Sequence, residues 1–211
     1  MRRSGMSTMV RRRGQKGNVL IETGIALAFL APLMLSAFSF GLNMTKAIQV
    51  NQVVRDAGHM YARSTDFSTA GNKAILARLA VGMGMTATGG TGVVILSKIT
   101  KIEQADCTAA GLTSAQCVNK DKYVVVQRQI VGNPLFHASK YCSPPDSSLN
   151  LPEGNAKDIH KDDKLQVQNS NDLPPLTSGQ FAYVVEGYFK GLGWTVPTLG
   201  IGNLLASRAI F

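Results

Sequence analysis

Lys16-Gly17-Asn18-Val19-Leu20-Ile21-Glu22 opens the stretch whose reading decides the fold. From Asn18 to Met44 the chain carries a single charge, Glu22, in 27 residues that are otherwise apolar, small or uncharged. A helix crosses a bilayer with about 20 such residues. Upstream lie Arg2, Arg3, Arg11, Arg12, Arg13 and Lys16, with no acid among them. Clustered Lys and Arg stay on the cytoplasmic side, so the sequence predicts that everything after the apolar run is exported. Glu22 is the anomaly. A charged group costs roughly 2.5–3.5 kcal/mol at the centre of a bilayer and less near its edge, so it needs a partner or a task.

Working outward, the helical pattern does not end with the apolar run. Ala47, Ile48, Val50, Val53, Val54, Ala57, Met60 and Tyr61 recur at spacings of three and four, with Lys46, Gln49, Arg55, Asp56 and Arg63 between them. This predicts one helix over residues 18–64, about 70 Å long at 1.5 Å per residue. Its first half is a membrane segment, and its amphipathic second half is a stem that packs on the exported domain. Pro32 removes an amide donor mid-run and is expected to kink the helix or loosen one turn. Ala37-Phe38-Ser39 resembles a signal-peptidase site, but the apolar run continues past it, which argues against removal there.

The net charge of +9 suggests nucleic acid at first sight, but six of those nine charges lie in the leader, leaving +3 over residues 18–211. No dense basic stripe interleaved with aromatics remains, so nucleic-acid binding is not expected. The three cysteines, Cys107, Cys117 and Cys142, all fall in the exported part. Three single pairings are open to them. The spacing of Cys107 and Cys117 around the polar stretch 108–116 suits a small disulfide loop, stabilising by roughly 2–3 kcal/mol in an oxidising compartment. Cys142 is then a buried thiol or an intermolecular contact. No clustered Cys/His spacing points to a metal, and no cofactor is expected.

Ser68 or Thr69 is expected to cap a second helix reaching Val81 or Met85, with Ile75, Leu76, Leu79 and Ala80 as its apolar face. Strands are predicted at Val93–Glu103, Lys122–Val131, Gln180–Lys190 and Leu204–Phe211. Val124-Val125-Val126, apolar on both faces, reads as a central strand. Between Gly132 and Ser178 the chain turns polar and proline-rich, which predicts a surface insertion or a partly disordered segment. The run Asp158–Asp163 lacks EF-hand spacing and reads as a solvated loop. The fold class is therefore α+β: a basic leader (1–17), a membrane and stem helix (18–64), and a small antiparallel β-sheet domain (65–211) with an insertion at about 132–178.

A basic leader, Gly17, Glu22 five residues later and a long apolar helix starting between them together resemble the leader of type IV pilin-like proteins. Residues Arg11 to Arg63 are similar to the TadE-like family, pilin-related proteins of the tight-adherence (Flp pilus) machinery. The residues that carry this are Arg12-Arg13-Gly14-Gln15-Lys16-Gly17, Val19, Glu22, Ala26–Leu35 with Pro32, Val53-Val54-Arg55-Asp56-Ala57 and Tyr61-Ala62-Arg63. The tail from Phe181-Ala182-Tyr183 through Tyr188-Phe189 to Leu205-Ala206-Ser207-Arg208-Ala209 resembles that family's closing strand, turn and strand. Residues 64–180 carry no resemblance.

The resemblance implies cutting between Gly17 and Asn18 by a prepilin peptidase, which places Glu22 at position five of the mature chain. It implies a single-pass inner-membrane protein with a periplasmic domain, extracted into a pilus or held beside it. Its partners would be membrane lipid, other pilin-like subunits and the pilus assembly platform. Asn18 is not the aromatic residue typical of major pilins, and the exported domain is large for a Flp major subunit. Both departures point to a minor pseudopilin. The rival reading is an uncleaved anchored periplasmic scaffold or binding protein. No catalytic residues are expected: His59, His137 and His160 have no nucleophile arrangement beside them, and Trp194, Tyr183 and Tyr188 read as core or interface aromatics.

Overall fold

The computed structural model describes residues 16–141, 154–191 and 204–211, with side chains from Val19 onward. The leader up to residue 15, Cys142, Pro144, Pro145, Pro152 and Trp194 lie outside the described residues. The chain divides into two compact units, Met1–Leu42 and Asn43–Phe211. Helix α1 (Lys16–Ala62) contributes to both.

In the first unit, Leu, Ala and Met supply strong helix formers, and the apolar side chains from Val19 to Leu42 are largely exposed. The helix is long and apolar enough to cross a membrane. Its hydroxyls are satisfied within the helix: Thr23 donates to the Val19 carbonyl at 2.7 Å, Ser36 to Pro32 at 2.8 Å and Ser39 to Leu35 at 2.8 Å. The helix runs unbroken through Pro32.

In the second unit the same helix turns amphipathic. Val50, Val53, Val54, Ala57 and Tyr61 are buried against Val94, Leu96, Val131, Val185 and Phe189 of a four-stranded sheet. Full burial of each valine is worth roughly 1.5–3 kcal/mol. Gly187 makes the close approach possible, because a Cβ there would run into the Val54 side chain. The helix ends on Ser64, whose φ of 65° lies in the left-handed region. Ser64 N–H donates to Tyr61 at 2.9 Å and Thr65 N–H to Met60 at 3.0 Å, the pattern of a Schellman stop with serine in the place glycine usually takes.

The sheet comprises β1 (Gly92–Lys101), β2 (Tyr123–Gly132), β3 (Phe181–Lys190) and β4 (Leu204–Ile210), all antiparallel, in the order β2-β1-β3-β4. The four predicted strands are present within two residues at each end. The expectation that Val124–Val126 form a central strand is overturned, because β2 lies at the sheet edge. Its second apolar face arises from the insertion. Ala156 N–H donates to Val126 at 2.7 Å and Val167 N–H to Tyr123 at 2.9 Å along the outer edge of β2. Leu165 packs on Val124, and Tyr141 and Leu173 pack on Val125. The described parts of the polar insertion are thus ordered against both faces of β2: Tyr141 and Leu173 on the face away from α1, and Leu165 beside Val124 on the other.

Helix α2 (Ala70–Leu79) starts at Thr69, whose Oγ1 accepts from Asn72 N–H at 3.4 Å, and a 3-10 turn follows at Val81–Met83. Of its expected apolar face only Leu76 and Ala80 are buried, while Ile75 and Leu79 are exposed. A short helix that meets the sheet along one narrow stripe covers only the positions four apart on that stripe. Helix α3 (Gln104–Ala109) has no counterpart in the predicted elements. It occupies the start of the expected polar loop and opens with a capping box between Glu103 and Asp106. Cys107 on α3 is bonded to Cys117, with Cα atoms 5.9 Å apart. Both cysteines are buried among Ile102, Val124 and Leu165.

Candidate functional site

Gly17 and Asn18 fall in the first turn of α1. Glu22 stands one turn further on, exposed, with Val19 and Ile25 exposed on the neighbouring turns. The nearest hydroxyl, Thr23, is already committed to the Val19 carbonyl. Among the described residues Glu22 has no hydrogen-bond or ion-pair partner. A lone carboxylate on an otherwise apolar helical surface is stable in lipid only when a cation or donor reaches it from outside its own chain segment. Its chemical capacity is that of a free carboxylate, to pair with a cation or accept from a donor.

A second lone acid went unnoticed in the sequence. Glu186 lies on β3 within Val184-Val185-Glu186-Gly187-Tyr188-Phe189, on the face away from α1, and is 1% exposed. Its carboxylate is fully engaged. Ser139 Oγ donates to Oε2 in a short hydrogen bond, the Lys140 amide donates to Oε1 at 2.9 Å, and Tyr188 OH donates to Oε1 at 2.8 Å. Burial, then the neighbouring Glu186 charge, push the Tyr188 hydroxyl far above its ordinary pKa. Around this core, Asp172 accepts from Lys140 at 3.4 Å and pairs with Arg208 at 3.1 Å. The Lys140 hydrogen bond and charge, helped by Arg208, hold the Asp172 carboxyl below its ordinary range. His137 stacks on Tyr188 with ring centroids 3.8 Å apart. The arrangement fastens residues 137–141 to the sheet and borders an open cavity of about 260 Å³. A lone acid in an apolar strand was the signal that would have found it.

The remaining expected positions are dispersed. His59 lies on α1 with its ring 4.7 Å from Phe211, and His160 borders a small cavity beside Asp106. Asp106 is engaged by Ser178 at 2.6 Å, which, with the Glu103 amide, holds its carboxyl below the ordinary range. Tyr183 meets Tyr61 edge-on at 5.4 Å. Among the described residues no three His, Cys, Asp or Glu side chains converge as metal ligands. No protein-family model, curated protein or solved structure matches the chain.

Proposed function

We propose that the chain is a minor pilin-like subunit of a tight-adherence (Flp-type) pilus or related secretion machine, released from its leader by a prepilin peptidase acting between Gly17 and Asn18. The observation that carries the reading is Glu22: an exposed carboxylate on an apolar, membrane-capable helix, five residues past Gly17, with no partner among the described residues. Cleavage creates an α-amine at Asn18. In lipid, the Glu22 carboxylate of one subunit pairs with the free amine of a neighbour, restoring much of the cost of each isolated charge. That pairing sets the axial register in which the apolar helices bundle. The basic leader orients the helix, and the sheet domain stays on the exported side.

The test is the N-terminal mass of the membrane-extracted protein with the peptidase present and absent. A start at Asn18 that depends on the peptidase is expected. A start at Met1 would leave the uncleaved anchored scaffold, and a start near Phe40 a freely exported protein. Glu22→Ala is expected to be processed and to fail in assembly; normal assembly of that variant would sink the proposal.

A further inference from the structure

The two ends of the sheet in unit Asn43–Phe211 differ sharply in chemistry. At one end the start of β1, the ends of β2 and β3 and the start of β4 meet: Val93 faces Gly132, Gly92 faces Phe189, and Lys190 faces Leu204. The turn at Val81–Met83 is drawn to the same end, since Thr91 Oγ1 donates to the Met83 carbonyl at 3.2 Å and Thr91 N–H to Gly84 at 2.9 Å. The Asn133–Phe136 turn leaves from it, fixed by Leu135 N–H donating to Asn133 Oδ1 at 3.0 Å. Along α1, Gly58 meets Phe211, Asn51 meets Ser207, and lower numbers run toward Leu204. Asn43, where the chain enters this unit, therefore lies at this end as well.

Five aliphatic side chains are exposed here: Met44, Ile48, Val81, Leu135 and Leu204, with Val81 at 74% and Leu135 at 93%. No acid occurs in residues 43–51, 78–92, 131–137, 187–191 or 204–206, while Lys46, Arg78 and Lys190 do. None of these three cations has an ion-pair partner among the described residues. The opposite end carries both signs, Glu103, Asp106, Asp121, Asp158, Asp162 and Asp163 together with Lys101, Lys120, Lys122, Lys161 and Lys164.

We infer that the Asn43 end of this unit is a lipid-contacting surface, seated in the headgroup layer of an anionic bilayer. The inference rests on the membrane reading of Val19–Leu42. If that segment spans, its exit is covalently next to Asn43, and Met44 and Ile48 follow Leu42 by no more than about 9 Å of helix rise. Interfacial apolar side chains enter the headgroup and acyl boundary by about 5–10 Å. Unopposed Lys and Arg beside them are drawn to anionic lipid within about a Debye length. Aliphatic tips beside Lys46, Arg78 and Lys190 match that boundary, with Asp56 of α1 bordering the Val81 turn from the side away from Asn43.

The test uses the full chain in phosphatidylglycerol-containing vesicles whose acyl chains carry bromine, which quenches tryptophan at the boundary. Val81→Trp and Leu135→Trp report on the proposed surface, Val118→Trp on the opposite end, and Phe29→Trp on the apolar helix. Emission from Trp194 is subtracted using the parent chain. Loss of most of the added emission at residues 29, 81 and 135, with residue 118 unaffected, is the expected result. The loss at 81 and 135 should weaken in phosphatidylcholine alone. Quenching at 29 but at neither 81 nor 135 overturns this inference and leaves the membrane reading standing, as does equal quenching at 118. An unquenched residue 29 defeats the membrane reading and this inference with it. Protection of 81 and 135 by self-association, without quenching, assigns the surface to a protein partner and overturns it too.

Discussion

The two halves of α1 share a backbone conformation and little else. From Val19 to Leu42 the helix is apolar all round and its side chains are exposed; from Asn43 to Ala62 it is amphipathic, and five side chains on one stripe are buried on the sheet. The lone acids repeat the contrast. Glu22 has no partner among the described residues, while Glu186 in the sheet domain is buried and takes three donors. Helix formation is thus indifferent to surroundings, and the surroundings decide what each side chain is worth. The second half is supported by the protein's own sheet, and the first half is long and apolar enough to cross a membrane.

A charge placed in each half should separate the two most sharply. Val54→Asp puts an unpaired carboxylate against Gly187 and Phe189, and is expected to cost about 4–5 kcal/mol, most of the stability of a domain that has roughly 5–15 in all. The sheet domain should fail to melt cooperatively by circular dichroism. Leu30→Asp should leave that melt unchanged in detergent and reduce membrane insertion by roughly 3 kcal/mol. Equal effects of both substitutions on the melt would erase the distinction between the halves.

The disulfide bears on the sheet domain alone. Replacing Cys107 and Cys117 together by serine is expected to cost that domain roughly 2–3 kcal/mol through the freed loop. The urea midpoint of the full chain should fall, while the share of protein in the membrane fraction stays as it was. Reduced membrane recovery with an unchanged midpoint would contradict the assignment of the bond to a domain core.

Glycines sharpen the comparison on a finer scale. An added Cβ at Gly24 meets nothing within 4 Å, whereas one at Gly187 collides with Val54. Gly24→Ala should gain up to about 1 kcal/mol of helix propensity and leave the domain's melt alone. Gly187→Ala should cost about 1–3 kcal/mol, a fall in Tm of about 2–4 °C per kcal/mol for a domain of this size.

What the sequence disclosed follows from the same contrast. Periodicity is a local property, so both halves of α1, a cap at Ser68 or Thr69 and all four strands were readable from the residues alone. The short loop made Cys107 and Cys117 a suitable pair, but the choice among three pairings was not readable and came from the structure. Position within the sheet was not readable either, because Val124–Val126 has the same apolar signature whether a strand or an ordered insertion covers its second face. Ile75 and Leu79 looked like core because a helical stripe does not reveal how wide its contact is. Helix α3 is too short for periodicity to register. Glu186 was missed because its donors come from residues 139, 140 and 188, two of them more than 40 residues away in sequence.

The smallest expected effect lies where the buried half of α1 ends. Past the Ser64 stop, Asp66 accepts from Ser68 Oγ at 2.7 Å and from Ser68 N–H at 2.8 Å, and Gln129 Nε2 donates to it at 2.8 Å from β2. Gln129 Oε1 in turn accepts from Phe67 N–H at 2.7 Å, so one glutamine ties the helix exit to the sheet. The Ser68 hydroxyl and amide, then Gln129 and Lys73, hold the Asp66 carboxyl below its ordinary value of 3.8. A group with a lowered folded-state pKa adds stability that is fully present above its ordinary value and is lost as pH falls through the lowered one. The sheet domain should therefore lose a small part of its stability on acidification below about pH 4. Asp66→Asn should remove that part of the acid dependence while changing the neutral-pH urea midpoint only slightly, since the carboxylate is largely solvated. An acid limb unchanged in Asp66→Asn would shift the origin of any acid loss to the other lowered carboxylates, Asp106 and Asp172, both remote from α1. The exposed half of α1 has no comparable network among the described residues, so in detergent its helicity should be insensitive to the Asp66→Asn change.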